Sequence, residues 1–418
     1  MGLPTVVSYP GVMPAATEVA RGLLEAGMLA RYETTFVHEG ERGVGAVLER
    51  ALGGRLAGQL RRRSLPGIPA ARVRRQPTWE LVRTGARMLG AGEVVSDRIW
   101  ERTMHSFDRG VAAGLSTRDW AIYGYEHACR ASFERARELG VHTVFDLASP
   151  HYRFMEALLA RELEAAPEAE TDHYRATQRL AQERNARKQA ELDAAELVVA
   201  NSAFTARTLT DTGYPGERVR VVPLGAPELD GSWRDVQQDA GSFLFAGVVS
   251  VRKGAPHLLA AWEQLGAGGG ARLVLAGQWT LGAAQRAALA PSIETLGSIP
   301  RPELFERYKR ASVLVFPSVC DGFGMVVTEA LAHGLPVITT RNVGAADLIE
   351  EGVNGWVVEP GDPAALATRM QWCLDNPVAL REMREAAEAT AARNAWSDYR
   401  LRVVAAIREH FGVEPERG

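Results

Sequence analysis

Cysteine is scarce in this chain. Its 418 residues include three, Cys129, Cys320 and Cys373, too widely spaced for a metal or redox motif and too few for a disulfide-built fold. A reducing cytoplasm is the compartment that fits. No apolar run reaches the roughly 18 residues that span a bilayer. The N-terminus has neither the basic start nor the long apolar core of a signal peptide, so none is expected. Positive charge is not in excess: the formal net charge is −3, which argues against general nucleic-acid binding. No Asp-x-Asp pair stands at a strand end, so no metal site is expected. No G-x-G-x-x-G follows the strand at Thr5 or the one at Phe243, which disfavours a dinucleotide oxidoreductase. No internal repeat or low-complexity tract is present, and Gly268-Gly269-Gly270 reads as a local loop.

What the chain does have is strands alternating with helices, twice over. Thr5 to Tyr9 reads as a first strand, followed by Pro10-Gly11 and a helix from Thr17 to Ala26 closed by Gly27. Tyr32 to Val37 reads as a second strand. A long, Arg-rich, mostly helical stretch runs to about Gly114. Strands follow at Trp120–Tyr125 and Val141–Leu147. Tyr152 to Glu196 reads as charged helix and Leu197–Ala200 as a short strand before the helix N-cap Asn201-Ser202. Arg218 to Pro223 closes the first series. A second series has strands at Phe243–Phe245, Leu273–Ala276, Glu294–Leu296, Val313–Phe316 and Val337–Thr339. Such alternation predicts parallel sheets. Two series predict an α/β protein of two Rossmann-like domains with a site in the cleft between them. The expected division is residues 1–226, a linker 227–240 and a second domain 241–395.

The chemistry concentrates between Ser318 and Thr340. The apolar run Ser312–Phe316 leads into the turn Asp321-Gly322-Phe323-Gly324, then a helix carrying Glu329, then Gly334, Pro336 and another strand. A strand, a glycine turn and a helix start present free backbone N–H groups suited to phosphate. The flanking carboxylates of Asp321 and Glu329 suit hydroxyls, and together they suggest a nucleotide sugar. Phe245-Ala246-Gly247 leads to Val251-Arg252-Lys253-Gly254, where a glycine and a basic pair open a helix. Cations there oppose the helix dipole unless an anion joins them.

These residues resemble the retaining glycosyltransferases of the GT-B fold, family 4. That family's frame is PS-x-x-EGFG-x-x-x-x-EA, continuing to a Gly and a Pro-Val. It stands here as Pro317-Ser318, Asp321-Gly322-Phe323-Gly324, Glu329-Ala330, Gly334 and Pro336-Val337. Further landmarks are Ala194 to Ser202 and Arg220 to Gly225, so the resemblance covers nearly the whole chain, with Arg42 to Arg118 the least familiar part. Two departures are plain: Asp321 replaces the first Glu, and Val248 occupies a slot often held by Arg.

The resemblance implies transfer of a sugar from a nucleoside diphosphate sugar to a hydroxyl acceptor, without a cofactor or metal. It implies donor contacts at Gly247, Arg252, Lys253, Ile299, Asp321, Gly322, Phe323, Gly324, Met325, Val326 and Glu329. Catalysis is implied at His151, Asp321, Lys253 and Arg252. Glu329, expected in the first turn of its helix, would take the ribose hydroxyls, and the Gly297–Arg301 loop would cup the base. Acceptor contacts are implied at Gly11, Glu126, His127 and His151, whereas Met13 and Trp279 read as packing. The last helix, Trp396 to Phe411 within 396–418, is implied to cross back onto the first domain. Bland readings stay open: Asp321 as an Asx turn or cap, Glu329 as a helix-dipole partner, His151 as a core histidine. The acceptor is a glycan, a lipid-linked sugar or a small molecule, with polysaccharide or glycoconjugate synthesis favoured. A GT-B epimerase or phosphorylase and a non-catalytic nucleotide-sugar binder are the alternatives. The arginines between Arg42 and Arg87, with peaks at Arg61-Arg62-Arg63 and Arg74-Arg75, form either a solvated face or a surface that meets anionic lipid at the inner membrane or a pyrophosphate-linked acceptor.

Overall fold

A computed structural model of the chain describes residues 3–37, 64–88, 90, 92–165, 175, 178–266 and 270–414. Its thirteen described strands form two sheets. The first has seven strands in the order β3-β2-β1-β4-β5-β6-β7: Thr5–Ser8 (β1), Leu29–Thr34 (β2), Val73–Arg75 (β3), Ala121–Tyr125 (β4), His142–Leu147 (β5), Leu197–Ala200 (β6) and Val219–Val221 (β7). The second has six in the order β10-β9-β8-β11-β12-β13: Ser242–Ala246 (β8), Arg272–Ala276 (β9), Ile293–Gly297 (β10), Val313–Phe316 (β11), Val337–Thr340 (β12) and Gly355–Val358 (β13). Every pairing in both sheets is parallel. This is the two-domain α/β architecture the alternating pattern predicts.

Parallel sheets are covered on both faces, and the strands are accordingly apolar throughout. Side chains one residue apart leave opposite faces of a strand. Val7 and Val144 join the cluster formed with Val19, Leu23 and Tyr399. Their neighbours Val6 and Phe145 join Phe107, Phe133 and Leu192 on the other face. Order reverses at β1/β4 in the first sheet and at β8/β11 in the second, which makes the carboxyl ends of these strands the places for a ligand.

Some elements differ from their expected bounds. Strand β2 begins three residues earlier than the apolar pattern suggests. Its charged members stay because Arg31 bonds Glu33 at 2.9 Å and Asp119 at 2.7 Å. The tiny edge strand β3 sits inside the Arg-rich stretch. Within the stretch expected as one charged helix after His151, the described residues include the helices Tyr152–Ala165 and Ala181–Ala194. The segment 42–63, including Arg61-Arg62-Arg63, and Gly268-Gly269 lie outside the described residues.

The chain passes between the domains at two points that lie side by side. Ala226 pairs with Ala395 in a parallel bridge, and its N–H donates to the Asn394 carbonyl at 2.7 Å. Directly after, the helix Trp396–His410 lies on the first domain, where Arg400 bonds Glu18 at 2.6 Å and Glu25 at 2.9 Å on the helix Pro14–Glu25.

Candidate active site

A cavity of about 320 Å³ opens where the carboxyl ends of the two sheets meet. From the first domain it is lined by Met13, Ala15, Asp146, Ala148, Asn201 and Leu224. From the second come Ala246, Gly247, Lys253, Phe316, Asp321 and the run Phe323 to Val326. Seven of the residues expected to hold a donor therefore share one cavity: Gly247, Lys253, Asp321, Phe323, Gly324, Met325 and Val326.

Lys253 is brought there by the turn after β8. Gly254 caps the helix Ala255–Leu265 in the left-handed region at φ 69°. A Cβ on it would stand 1.9 Å from the Pro317 carbonyl oxygen, so only glycine lets this turn close on the loop after β11. The ammonium of Lys253 pairs with Asp321 Oδ2 and lies 5.0 Å from the centre of the Phe316 ring. Burial lowers its pKa, while Asp321 acts in the opposite direction. Asp321 is thus an ion-pair partner, and the helix cap is Gly324, at the start of Met325–Ala332. Gly324, Met325 and Val326, at the start of that helix, line the cavity beside the ion pair.

Glu329 sits in the second turn of this helix, not the first, because the helix begins at Met325. Its oxygens accept from Arg301 at 2.8 Å and from the Tyr308 hydroxyl at 3.2 Å. Burial pushes its carboxyl up, and Arg301 and Tyr308 pull the other way. Ile299, half-buried, lies in the loop between β10 and the helix Arg301–Arg310. Neither Glu329 nor Ile299 lines the cavity itself. The Arg252 guanidinium donates to the Cys320 carbonyl at 3.1 Å and is likewise outside the lining. Gly322 packs against the first domain, with Ser202 donating to its carbonyl at 2.6 Å.

The expected acceptor residues are less concentrated. His151 follows β5 but is 2% exposed, stacked 4.5 Å from the Tyr152 ring. Burial, then Arg153 and Lys188, lower its pKa to about 4, so the imidazole is neutral at pH 7. His127 is built into a turn: it holds φ 74°, donates its N–H to Glu191 at 2.8 Å and offers its carbonyl to Arg187 at 3.2 Å. Burial, with help from Lys188, Arg187 and Arg184, depresses its imidazole to about 3. Glu126 pairs with Lys188 at 3.3 Å. The Gly11 carbonyl accepts from Thr34 at 3.1 Å. None of these four lines the cavity.

Eight lining residues fall outside the sequence-based expectations, among them Met13, Asn201 and Asp146. Met13, read as packing, faces the cavity from the turn before the helix Pro14–Glu25. Asn201, read only as part of a helix cap, bonds the Ala148 carbonyl at 2.8 Å. Asp146 is the third, 4% exposed and accepting from the Tyr123 hydroxyl at 2.7 Å. An acid within the apolar run His142–Leu147 is the signal that could have marked it. Among the described residues no cluster of His, Cys, Asp and Glu is placed to hold a metal ion.

Residues 240–376 match the family model described as glycosyl transferases group 1. The D-inositol 3-phosphate glycosyltransferase 1 of Catenulispora acidiphila is 30% identical over 250 residues, covering 54% of this chain and 59% of that protein. The glycogen synthase of Mycobacterium tuberculosis strain H37Rv is 28% identical over 181 residues, covering 42% of this chain and 43% of that one. The chain thus spans about half the length of these curated relatives. Among solved structures, HepE of Anabaena in complex with UDP shares 16% identity at a TM-score of 0.62, covering 98% of this chain and 100% of that chain. Sucrose-phosphate synthase of Thermosynechococcus elongatus shares 18% at 0.62, with coverages of 98% and 99%. The resemblance read from Pro317 to Val337 is matched at the coarser level of the group 1 glycosyl transferases. Residues 240–376 are similar in sequence to the group 1 glycosyl transferases, and the two domains together have the GT-B architecture.

Proposed function

We propose that the protein transfers a sugar from a nucleoside diphosphate sugar to a hydroxyl acceptor with retention of configuration. The observation that carries this reading is the convergence of Lys253, Asp321 and the N-terminus of the helix Met325–Ala332 on one cavity, with the opposite wall supplied by the first domain. The diphosphate competes with Asp321 for the Lys253 ammonium and takes hydrogen bonds from the helix N–H groups. Asp321, released from Lys253, is free to accept from hydroxyls of the sugar. Glu329 accepts from the ribose, sharing its oxygens with Arg301 and Tyr308.

In the step itself the bond from the anomeric carbon to phosphate oxygen breaks and the bond to the acceptor oxygen forms on the same face. The departing phosphate oxygen takes the acceptor's proton. The excess negative charge on the diphosphate rests on Lys253 and the helix N-terminus, so no metal is assigned a part. The Anabaena neighbour in complex with UDP makes uridine diphosphate the first donor base to try. The acceptor is assigned to a glycan or lipid-linked sugar, and the arginines between Arg42 and Arg87 to contact with an anionic membrane surface.

Thermal melting with a panel of nucleoside diphosphates and their sugars, with and without magnesium, tests the reading. A ligand at 100 times its Kd stabilises by about 2.7 kcal/mol. We expect one base to stabilise the protein without magnesium. Lys253→Ala and Glu329→Ala should each weaken its Kd by about 10–100-fold, the range of a lost charge-assisted hydrogen bond. A folded protein that responds to none of the panel overturns the proposal.

A further inference from the structure

The short helix Ala203–Thr210 and its cap carry three buried hydroxyls on one face, Ser202, Thr205 and Thr208, at the spacing i, i+3, i+6. Ser202 accepts the Thr205 N–H at 3.0 Å, as an N-cap does. The same Ser202 hydroxyl donates at 2.6 Å to the carbonyl of Gly322, which belongs to the other domain. The usual choice for a helical threonine is a carbonyl one turn back in its own helix. Thr205 instead donates to that same Gly322 carbonyl at 3.0 Å. Thr208 donates to the Thr205 carbonyl at 2.8 Å and accepts the backbone N–H of His151 at 2.9 Å. Hydrogen bonds at Thr208 and Thr205, linked through the Thr205 residue itself, therefore join the backbone at His151 to the loop Asp321–Gly324.

The fit at this seam admits no side chain. A Cβ on Gly322 would stand 2.3 Å from the Ala148 carbonyl oxygen. One on Gly344 would stand 2.1 Å from the Gly322 carbonyl oxygen and 2.4 Å from Ser202 Cβ. Gly322 lies between Asp321, the partner of Lys253, and Gly324, the cap of the helix facing the cavity. Whatever holds its carbonyl fixes both.

We propose that Ser202, Thr205 and Thr208 are positioning residues: they register the donor loop of the second domain against the first domain and keep the cleft closed along this edge. The consequence for turnover rests on the transfer reading above, whereas the closure itself does not.

Thr205→Val removes the hydroxyl at nearly constant shape, and Thr205→Ser retains it. Two sets of measurements separate the proposal from its premise. With uridine diphosphate as probe and its sugar as donor, Thr205→Val should lower kcat about 3–10-fold while the diphosphate Kd stays within about twofold, and Thr205→Ser should recover kcat. In the free protein, Thr205→Val should enlarge the radius of gyration in solution scattering and speed hydrogen exchange of the peptide spanning Asp321–Met325. A residue that only supports folding would move the melting temperature and leave this split between kcat and Kd unseen. If the wild type transfers nothing from any donor, the transfer reading fails, and scattering and exchange still decide the closure. Thr205→Val with wild-type scattering and wild-type exchange overturns the proposal, as does a Thr205→Ser variant that behaves like the valine.

Discussion

Asp146 shows what a single side chain carries at this cleft. Its carboxyl is pushed up to about 7 by burial, against the pull of the Tyr123 and Tyr125 hydroxyls. In the unfolded chain it ionises near 3.8. Between about pH 4 and 7 the folded state therefore holds a proton that the unfolded state lacks. The contribution of this group to stability falls as pH rises through that window and levels off above it. Asp146→Asn keeps an acceptor for Tyr123 but cannot ionise. We expect its melting temperature to match that of the wild type near pH 4 and to exceed it at pH 8, in scans across that range. Glu191, pushed up to about 8 by burial, adds a slope of the same sign to both proteins and cancels in the comparison. Lys253, Asp321 and Gly324 were legible because their spacing is local and chemically distinctive. Asp146 and Met13 were not, since what they face is decided by a second domain far along the chain. Glu126 and His127, expected at the acceptor side, do not line the cavity, for the converse reason. A polar pair after a strand reads as a site, yet here a buried glutamate from a distant helix takes the His127 N–H to shape a turn.

At the scale of elements, the helix Trp396–His410 shows which contacts hold the first domain together. Tyr399 is 1% exposed within the core cluster, whereas Arg400 pairs with a largely buried Glu18 and with a half-exposed Glu25 that is open to water. Removing a large buried ring costs about 3–5 kcal/mol. Exposed ion pairs contribute about 0–1 kcal/mol. Tyr399→Ala should therefore lower the denaturation midpoint far more than Glu25→Ala, which removes only the open pair, as urea melts of the two variants will show. Most strands and the long helices were legible as apolar runs and helical spacing. Strand β3 was not, because three residues, Val73-Arg74-Arg75, carry no apolar run. Its arginine is tolerated at the edge, where Arg74 lies 3.5 Å from Glu33. The offset of β2 has the same origin, since its charges are neutralised by partners distant in sequence.

At the scale of the molecule, an overall charge of −3 conceals the arginine-rich stretch from Arg42 to Arg87. Part of that stretch serves the fold, as where Arg72 caps strand carbonyls at Leu29 and Ala30 and Arg83 bonds Glu80 at 2.6 Å. Cosedimentation with vesicles tests the rest. Binding to vesicles rich in anionic lipid, absent with neutral lipid and abolished by about 0.5 M salt, is the expected outcome. The side-by-side crossings at Ala226 and Ala395 bear on how the protein is made. The first domain is finished by a helix that leaves the ribosome roughly 170 residues after the rest of it. At about 5–20 residues per second, that delay is roughly 10–30 s. For that time the face of the helix Pro14–Glu25 that the last helix covers, at Gly22 against Arg400, lacks that cover. Until the helix Trp396–His410 emerges, a nascent chain of this protein therefore carries an uncovered helix face.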